Sequence, residues 1–547
     1  MLAVLATLLP LSCDKDGKEK PAAAQMQITV KARRNAAGIT VPFSFTAADA
    51  FKLVDVTSGT SDTRGPMNKG TSQSFFVFSL DKAVSGDLLV AHCPADAPVE
   101  IEGKKVSFRI PENQDGSDLV FPYIGWTTFS GDSYAGDAIS AESPAAVIRA
   151  SIQKGSYSIV KAVLQANGGE KIAGKVTIDT GARSYTPSAA TVTVTLPSPL
   201  DCRAGSRSIP FFVAPVNLAG GITMTFYTDD GKQVESKVST PVKLAAGAVY
   251  DTDPASVGRQ LIAAGGTKVY LFDEKMARDA GNYTAGLVWT WDSNTEKTKI
   301  SRPDHIDDAK PVYDNKKILV TSSFAWCALV DIETKNLDFY ATGLSNAHSA
   351  EILPNDRIAV ACSDGGDFIA LYDKSASNSM IASYPLASAH GVVWCEKTRR
   401  LYAIGGSSLQ VYKLNDAWTT SPALVLEKTI SSKGFVTGMH DMTAVDDHTL
   451  IIGGNKLAFF DVTTEKFTPV NAYNTVAGFK SVNYNPSTRE FYYTYAWTGY
   501  AEGSYDWSSH WIRYTDNIEN SFSPSIPAQG IIRVEDINMY KVRVFNW

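Results

Sequence analysis

From Met26 onward, apolar and polar residues alternate in runs of strand length. MQITVKA, FKLVDVTS, SFFVFSL, GDLLVAH and KVSFRIP are separated by Gly, Asn, Asp and Pro. Alternation with period two buries one face of a strand and wets the other. A polar, Gly-rich stretch, GWTTFSGDSYAGDAIS, interrupts the series, and a second set follows: AAVIRASI, YSIVKAVLQA, KVTIDT, ATVTVTL and SIPFFVAPV. Residues 221–239 read as a hairpin turning at Asp229-Asp230-Gly231. No stretch carries a convincing helical period. The pattern predicts an all-β chain that begins with two tandem β-sandwich domains, at 26–130 and 140–253.

Beyond residue 255 the pattern becomes a repeat. A small residue and a His open an apolar run, and a second strand follows a polar turn. The copies are Asn346-Ala347-His348-Ser349, Ser388-Ala389-His390-Gly391 and Gly438-Met439-His440-Asp441, with a weaker one on His305. In AGFKSVNYNPSTREFYYTYA, Lys480 stands where the others have His. Positions 305, 348, 390, 440 and 480 are spaced by 43, 42, 50 and 40 residues, and each unit divides into four strands. This is the signature of a β-propeller, expected over 255–547. A hydrophobic pair and an Asp end the third strand at Asp273, Asp331, Asp373 and Asp461, which reads as a turn former. The first blade lacks its inner strand, and the chain ends in a lone strand, YKVRVF. Completing the first blade with that strand removes an exposed edge. Six blades are expected, or seven if the irregular 498–535 region holds another.

A chain of 547 residues exceeds one core, and about three domains is the natural division. The net charge of −6, without basic runs, argues against nucleic-acid binding. The six cysteines form no CxxC pair, so a structural zinc site is not expected. Cys327, Cys362 and Cys395 lie in apolar strand patterns and read as small buried hydrophobes. His92 beside Cys93 reads as packing or surface. Residues 1–12, MLAVLATLLPLS, are apolar but too short to span a bilayer. They read as a signal peptide, with 13–25 as a flexible tether.

The first twelve residues, followed by Cys13 and then by DKDGKEK, resemble a bacterial lipoprotein signal, which implies lipidation of Cys13. The acidic residues Asp14 and Asp16 resemble the flanks of surface-exported lipoproteins of Bacteroidetes-type bacteria. The resemblance implies an outer-membrane, lipid-anchored and surface-exposed protein. FSFTAADAFKLVDV, KVSFRIP, FFVAPVNLAGGITMTFYTDDGKQ and LAAGAVYDTD resemble fimbrillin-like proteins of Bacteroidales, which implies an adhesin or stalk. AHSAEILPNDRIAVACS and SAHGVVWCEKTRRLYAIGG resemble an uncharacterised Bacteroidales propeller family, a domain of unknown function. More distantly, they resemble oligogalacturonate-lyase and lactonase-type propellers.

The first strand of a propeller blade lines the central channel, so His305, His348, His390, His440 and Lys480 should converge on one mouth. His510, in the irregular insert, could reach over it, whereas His448 belongs to a turn. Three readings compete. A divalent metal (Mn, Zn or Fe) could sit on the axis, held by His348, His390 and His440; with it, by resemblance to the lyases, would come cleavage of acidic oligosaccharides. The cluster could instead bind a glycan or acidic sugar, with Trp289, Trp291, Trp497, Trp507 and Trp511 as stacking faces. Or the imidazoles could be structural. Ser349 and Ser388 are only local neighbours of histidines, and GxSxG, P-loop and dinucleotide fingerprints are missing. The sequence therefore favours glycan binding without catalysis, with a metal-dependent lyase or hydrolase and a plain adhesin as alternatives.

Overall fold

The computed structural model describes residues 24–36, 39–42, 50–71, 73–80, 86–92, 99–119, 121–129, 139–256, 258–415, 422–473, 477–496, 503–519 and 529–545. Cys13, Cys93 and Trp497 lie outside them, as do the signal and most of the tether. The described chain is all-β, and its single α-helix is Glu274–Ala280. No helix among the described residues is long and apolar enough to cross a membrane. Two compact units divide at residue 257, with Lys154–Ser156 grouped with the second.

The first unit holds several sheets, mostly antiparallel with three parallel pairs among the described strands. Its hairpin pairs Ile222–Thr228 with Gln233–Val238, turning where Gly231 takes φ 84°, a left-handed conformation that glycine tolerates. The division expected near residue 130 does not fall between sheets. Lys105–Ile110 pairs with Gly174–Asp179, and Asn113–Gln114 pairs with Thr191–Asp201. One continuous core accordingly runs from Val54 and Phe108 to Phe226 and Ala255. Period-two alternation says which face of a strand is buried, but not which sheet receives it.

The described residues of the second unit form six four-stranded antiparallel sheets. Five are consecutive in the chain and open with Ile306–Val312, Ala347–Leu353, Ala389–Cys395, Asp441–Ala444 and Phe479–Tyr484. The remaining sheet takes three strands from the start of the unit, and the C-terminal Met539–Val544 pairs with Gln260–Gly265 to complete it. These six strands pack side by side in succession, and Met539–Val544 touches both Ile306–Val312 and Phe479–Tyr484. The succession therefore returns on itself through side-chain packing rather than as one hydrogen-bonded barrel. Between the sheets lie separate apolar clusters, such as Leu319, Cys327, Phe339, Val360 and Tyr372. The turn-forming Asp residues act as expected. Asp331 accepts from the Thr334 amide at 2.9 Å, Asp373 from Ser375 at 2.8 Å and Asp461 from Thr464 at 2.7 Å. Asp273 instead caps the helix through the Met276 amide. Cys202, Cys327, Cys362 and Cys395 are buried free thiols.

Charged side chains fill the space between the first strands. Arg543 donates to Asp308 at 2.8 and 2.7 Å and to Asp441 at 2.7 Å through two nitrogens. Lys541 adds contacts to Asp441 at 3.2 Å and to the His390 carbonyl at 2.9 Å. All four side chains are almost fully buried. Ser349 Oγ and the Val482 amide also donate to these carboxylates. Nearer the other end of the strands, Lys310 joins Glu351 at 3.0 Å and the Val392 carbonyl at 2.8 Å. Removing one member of a buried ion network leaves the others uncompensated. Arg543→Met is therefore expected to destabilise the second unit by about 3–5 kcal/mol in urea denaturation, and adding Asp308→Asn should restore much of that loss, because Lys541 then still balances Asp441.

Candidate functional site

The positions that open the first strands share a local geometry. Asn346, Ser388, Gly438 and Gly478 take φ of 53°, 52°, 55° and 91°. An apolar residue follows each, and the residue after that is His348, His390, His440 or Lys480. Pairing with the second strand shifts register around His348, His390 and Lys480, the mark of a bulge that re-aims a side chain. His305 itself takes φ 57°, and the register shift in its sheet falls between Ile306 and Asp308. His305 thus occupies the slot of Asn346 and Ser388, and Asp307 occupies the slot of the histidines. In the sheet completed by the C-terminus, the irregularity lies between Met539 and Val542 and presents Tyr540. The mouth is therefore Asp307, His348, His390, His440, Lys480 and Tyr540, one residue from each sheet.

These groups touch. The rings of His348 and His390 meet edge to face at 4.6 Å, and those of His390 and His440 at 4.8 Å. The Tyr540 ring lies among them, 5.0 Å from His348 and 6.1 Å from His440. His440 contacts Lys480 Nζ through Nε2 at 3.0 Å and the Tyr540 hydroxyl through Nδ1 at 2.9 Å. His390 Nδ1 lies 2.8 Å from the Ser388 carbonyl and 3.2 Å from Ser363 Oγ. His348 Nδ1 is buried, the Asn346 backbone acts on its ring, and Asp307 stands 3.9 Å from Nδ1.

The electrostatics follow from crowding. Burial holds His348 well below the usual imidazole range, helped by His390 and Lys541. His390 is lowered to about 4, mainly by burial. His440 is pushed well down by burial and by Lys480. The three imidazoles are thus neutral at pH 7. Burial lowers Lys480 to about 8, against the pull of Asp506. It raises Asp307 to about 7, although Ser323 donates to the carboxylate. Tyr540 is raised far above the phenol range by burial and by Asp307 and Asp441. Burial would also raise Asp308 and Asp441, but Arg543 and Lys541 outweigh it and hold both carboxylates low.

An aromatic group stands beside the mouth. Tyr505 and Trp507 stack at 4.9 Å, nearly parallel. Trp507 lies 6.0 Å from His305 and 6.3 Å from Tyr540. His305 stacks on Phe324 at 3.8 Å, with the Arg302 guanidinium over that ring. His510 does not join the mouth: its Nε2 pairs with Asn538 at 3.0 Å. Trp289 and Trp291 pack in a core between sheets, and Trp511 lies on the third strand of its sheet, so of the described tryptophans expected as stacking faces only Trp507 stands at the mouth. His448 lies in a turn against Lys397. Among the described residues, no three His, Cys, Asp or Glu side chains are arranged to hold a metal ion. Both ring nitrogens of His440 are already engaged, Nε2 with Lys480 and Nδ1 with Tyr540.

The sequence reading missed Asp307, Tyr540 and Tyr505. The signal for Asp307 was present: a left-handed residue and an apolar one precede each functional position, and His305-Ile306 fits that pair. Tyr540 has no such preface, because its strand arrives from the opposite end of the chain.

The titrations set the pH dependence of stability. A histidine neutral in the fold and titrating at about 6.5 when unfolded contributes stability above pH 6.5 that is lost as pH falls toward 4. For His390, lowered to about 4, this is worth roughly 3 kcal/mol. Asp307, raised to about 7, acts in the opposite sense and loses stability as pH rises from 4 to 7. Three histidines outweigh one aspartate, so urea midpoints should fall between pH 7 and pH 4.5. Asp307→Asn should steepen that fall and His390→Gln should flatten it.

Comparison with known proteins gives little beyond one domain. No curated protein matches the chain. Among solved structures, one titled as the mitotic checkpoint complex matches at 14% identity, with a TM-score of 0.34, covering 51% of this chain and 76% of that one. A protein of unknown function from Bacteroides caccae matches at 9% identity and a TM-score of 0.34, covering 52% and 98%. Five of the six mouth residues fall in the stretch that a family model matches: residues 260–504 are similar to DUF6528, a family of unknown function.

Proposed function

We propose that the six sheets are the blades of a six-bladed propeller and that its mouth binds an acidic sugar or glycan. The observation that carries this reading is Lys480. It is 8% exposed, its ammonium meets the neutral His440 ring at 3.0 Å, and Asp506 pulls on it through charge alone, without a hydrogen bond. A buried ammonium without a hydrogen-bonded counter-ion is costly unless a ligand supplies one. The neutral imidazoles of His348 and His390 supply hydrogen bonds suited to hydroxyl groups. The stacked Tyr505 and Trp507, with Tyr505 45% exposed, give a flat face for a pyranose ring.

The setting is part of the same proposal. The chain is a surface lipoprotein of a bacterial outer membrane, anchored by lipid on Cys13, with fimbrillin-like sandwiches between anchor and propeller. Loss of incorporated palmitate in Cys13→Ser tests the anchor; retention of label in that variant would refute it.

Calorimetry of the full chain with methyl β-D-glucuronide tests the binding. Lys480 is charged below about pH 8, and its charge is lost as pH rises through that value. Affinity should therefore fall about tenfold between pH 7 and pH 9. Lys480→Gln should abolish binding, and methyl β-D-glucoside, which lacks the carboxylate, should bind far more weakly. Binding of the glucuronide that survives Lys480→Gln, or none at all to the wild-type chain, would contradict the reading.

A further inference from the structure

Two lysines stand near the mouth, and they are used differently. Lys541 is fully buried, between Asp441, Asp308 and the His390 carbonyl. Its ion pairs and its place in the Arg543 network account for it as a structural charge. Lys480 has none of these partners. Its Nζ meets a neutral imidazole nitrogen at 3.0 Å and lies 5.4 Å from the Tyr540 ring. His440 then passes the contact to the Tyr540 hydroxyl at 2.9 Å. An ammonium held against an imidazole has a ready acceptor for its proton, and an imidazole held against a phenol can return one. Amine, base and acid are thus in line within two hydrogen bonds.

We propose that Lys480 is a nucleophilic amine that forms an imine with a carbonyl compound carrying a carboxylate, such as a 2-oxo acid or the open-chain form of a uronic acid. This rests on the reading of the mouth as a site for acidic ligands. The free amine attacks the carbonyl carbon and a C–N bond forms. The proton lost by nitrogen passes through His440 to the former carbonyl oxygen, giving a carbinolamine. The nitrogen lone pair then forms the C=N bond as the C–O bond breaks, the oxygen leaves as water with a proton supplied along the Tyr540–His440 contact, and the proton remaining on nitrogen returns to His440, so that a neutral imine forms and both groups are restored. One water is released and nothing is oxidised or reduced. The groups that face Lys480 suit this order. His440 and Tyr540 touch it, while His348, His390 and Lys541 share the same crowded, desolvated space. Asp506 is the acidic group whose charge acts on it. Desolvation favours the free amine and outweighs the pull of Asp506.

The test is trapping with borohydride. The full chain is incubated with pyruvate or with glucuronate, reduced, digested and mapped by mass. An adduct with the mass of the probe less one oxygen atom is expected on the peptide that contains Lys480, in clear excess over other lysine peptides. It should be missing in Lys480→Arg, whose fold is checked by circular dichroism. Its yield should rise from pH 6 to pH 8. His440→Asn should slow trapping at pH 7 on the order of a hundredfold, an effect that loss of packing alone would not confine to the rate of imine formation. Methyl β-D-glucuronide, which has no free carbonyl, should give no adduct although it binds. Labelling spread evenly over surface lysines and unchanged in Lys480→Arg would overturn the proposal. So would no labelling by either probe while methyl β-D-glucuronide still binds, and that outcome would leave the binding reading intact.

Discussion

The second unit is organised around one guanidinium. Arg543 comes from the C-terminal strand and holds Asp308, near the start of the unit's second sheet, and Asp441, in its fifth. Its two carboxylates sit in different sheets, so the same side chain ties three sheets across the centre. A planar fork with five donors can do this; a lysine offers only one point of charge. Such a network is no simple gain in stability, because every member loses its hydration. What it imposes is register. The C-terminal strand must pair with Gln260–Gly265 so that Arg543 meets both carboxylates, and this same register puts Tyr540 at the mouth.

That constraint shapes the chemistry one layer up. The charges beneath the mouth are matched: Arg543 and Lys541 face Asp308 and Asp441. Of these, Lys541 still pushes the histidines above toward the neutral form. Burial and mutual crowding add to this, and all three are held neutral. Lys480 is the exception in the ring, a charge without a hydrogen-bonded carboxylate. Asp307 sits beside His348 with a carboxyl raised to about 7, ready to be neutral or charged near physiological pH. A mouth with neutral donors, one ammonium and one poised acid can accept an acidic ligand without unpairing the charges below.

Much of this was legible in the chain. The repeat near 42 residues located the first strands, and the lone C-terminal strand pointed to its pairing with the incomplete sheet. Four of the six mouth residues, His348, His390, His440 and Lys480, followed from alignment of the repeats. His305 was misplaced by two residues, because a histidine stood in a left-handed slot elsewhere filled by Asn, Ser or Gly. Spacing alone cannot separate those slots when the bulge adds a residue. Tyr540 was hidden because its strand lies nearly 300 positions from its hydrogen-bonded neighbour in the sheet. In the first unit, alternation revealed strands but not partners, and strands on both sides of residue 130 share one core.

The central claim is that three neutral imidazoles meet at one mouth, with His440 held between Lys480 and Tyr540. Nitrogen NMR of the full chain, labelled at its seven histidines and assigned by substitution, tests it most directly. The account predicts that His348, His390 and His440 show neutral-ring shifts at pH 6. His440 should carry its proton on Nδ1, with Nε2 accepting from Lys480, and its Nε2 shift should move in Lys480→Gln. Ordinary titration of all three near pH 6.5, with no response of His440 to Lys480→Gln, would contradict it.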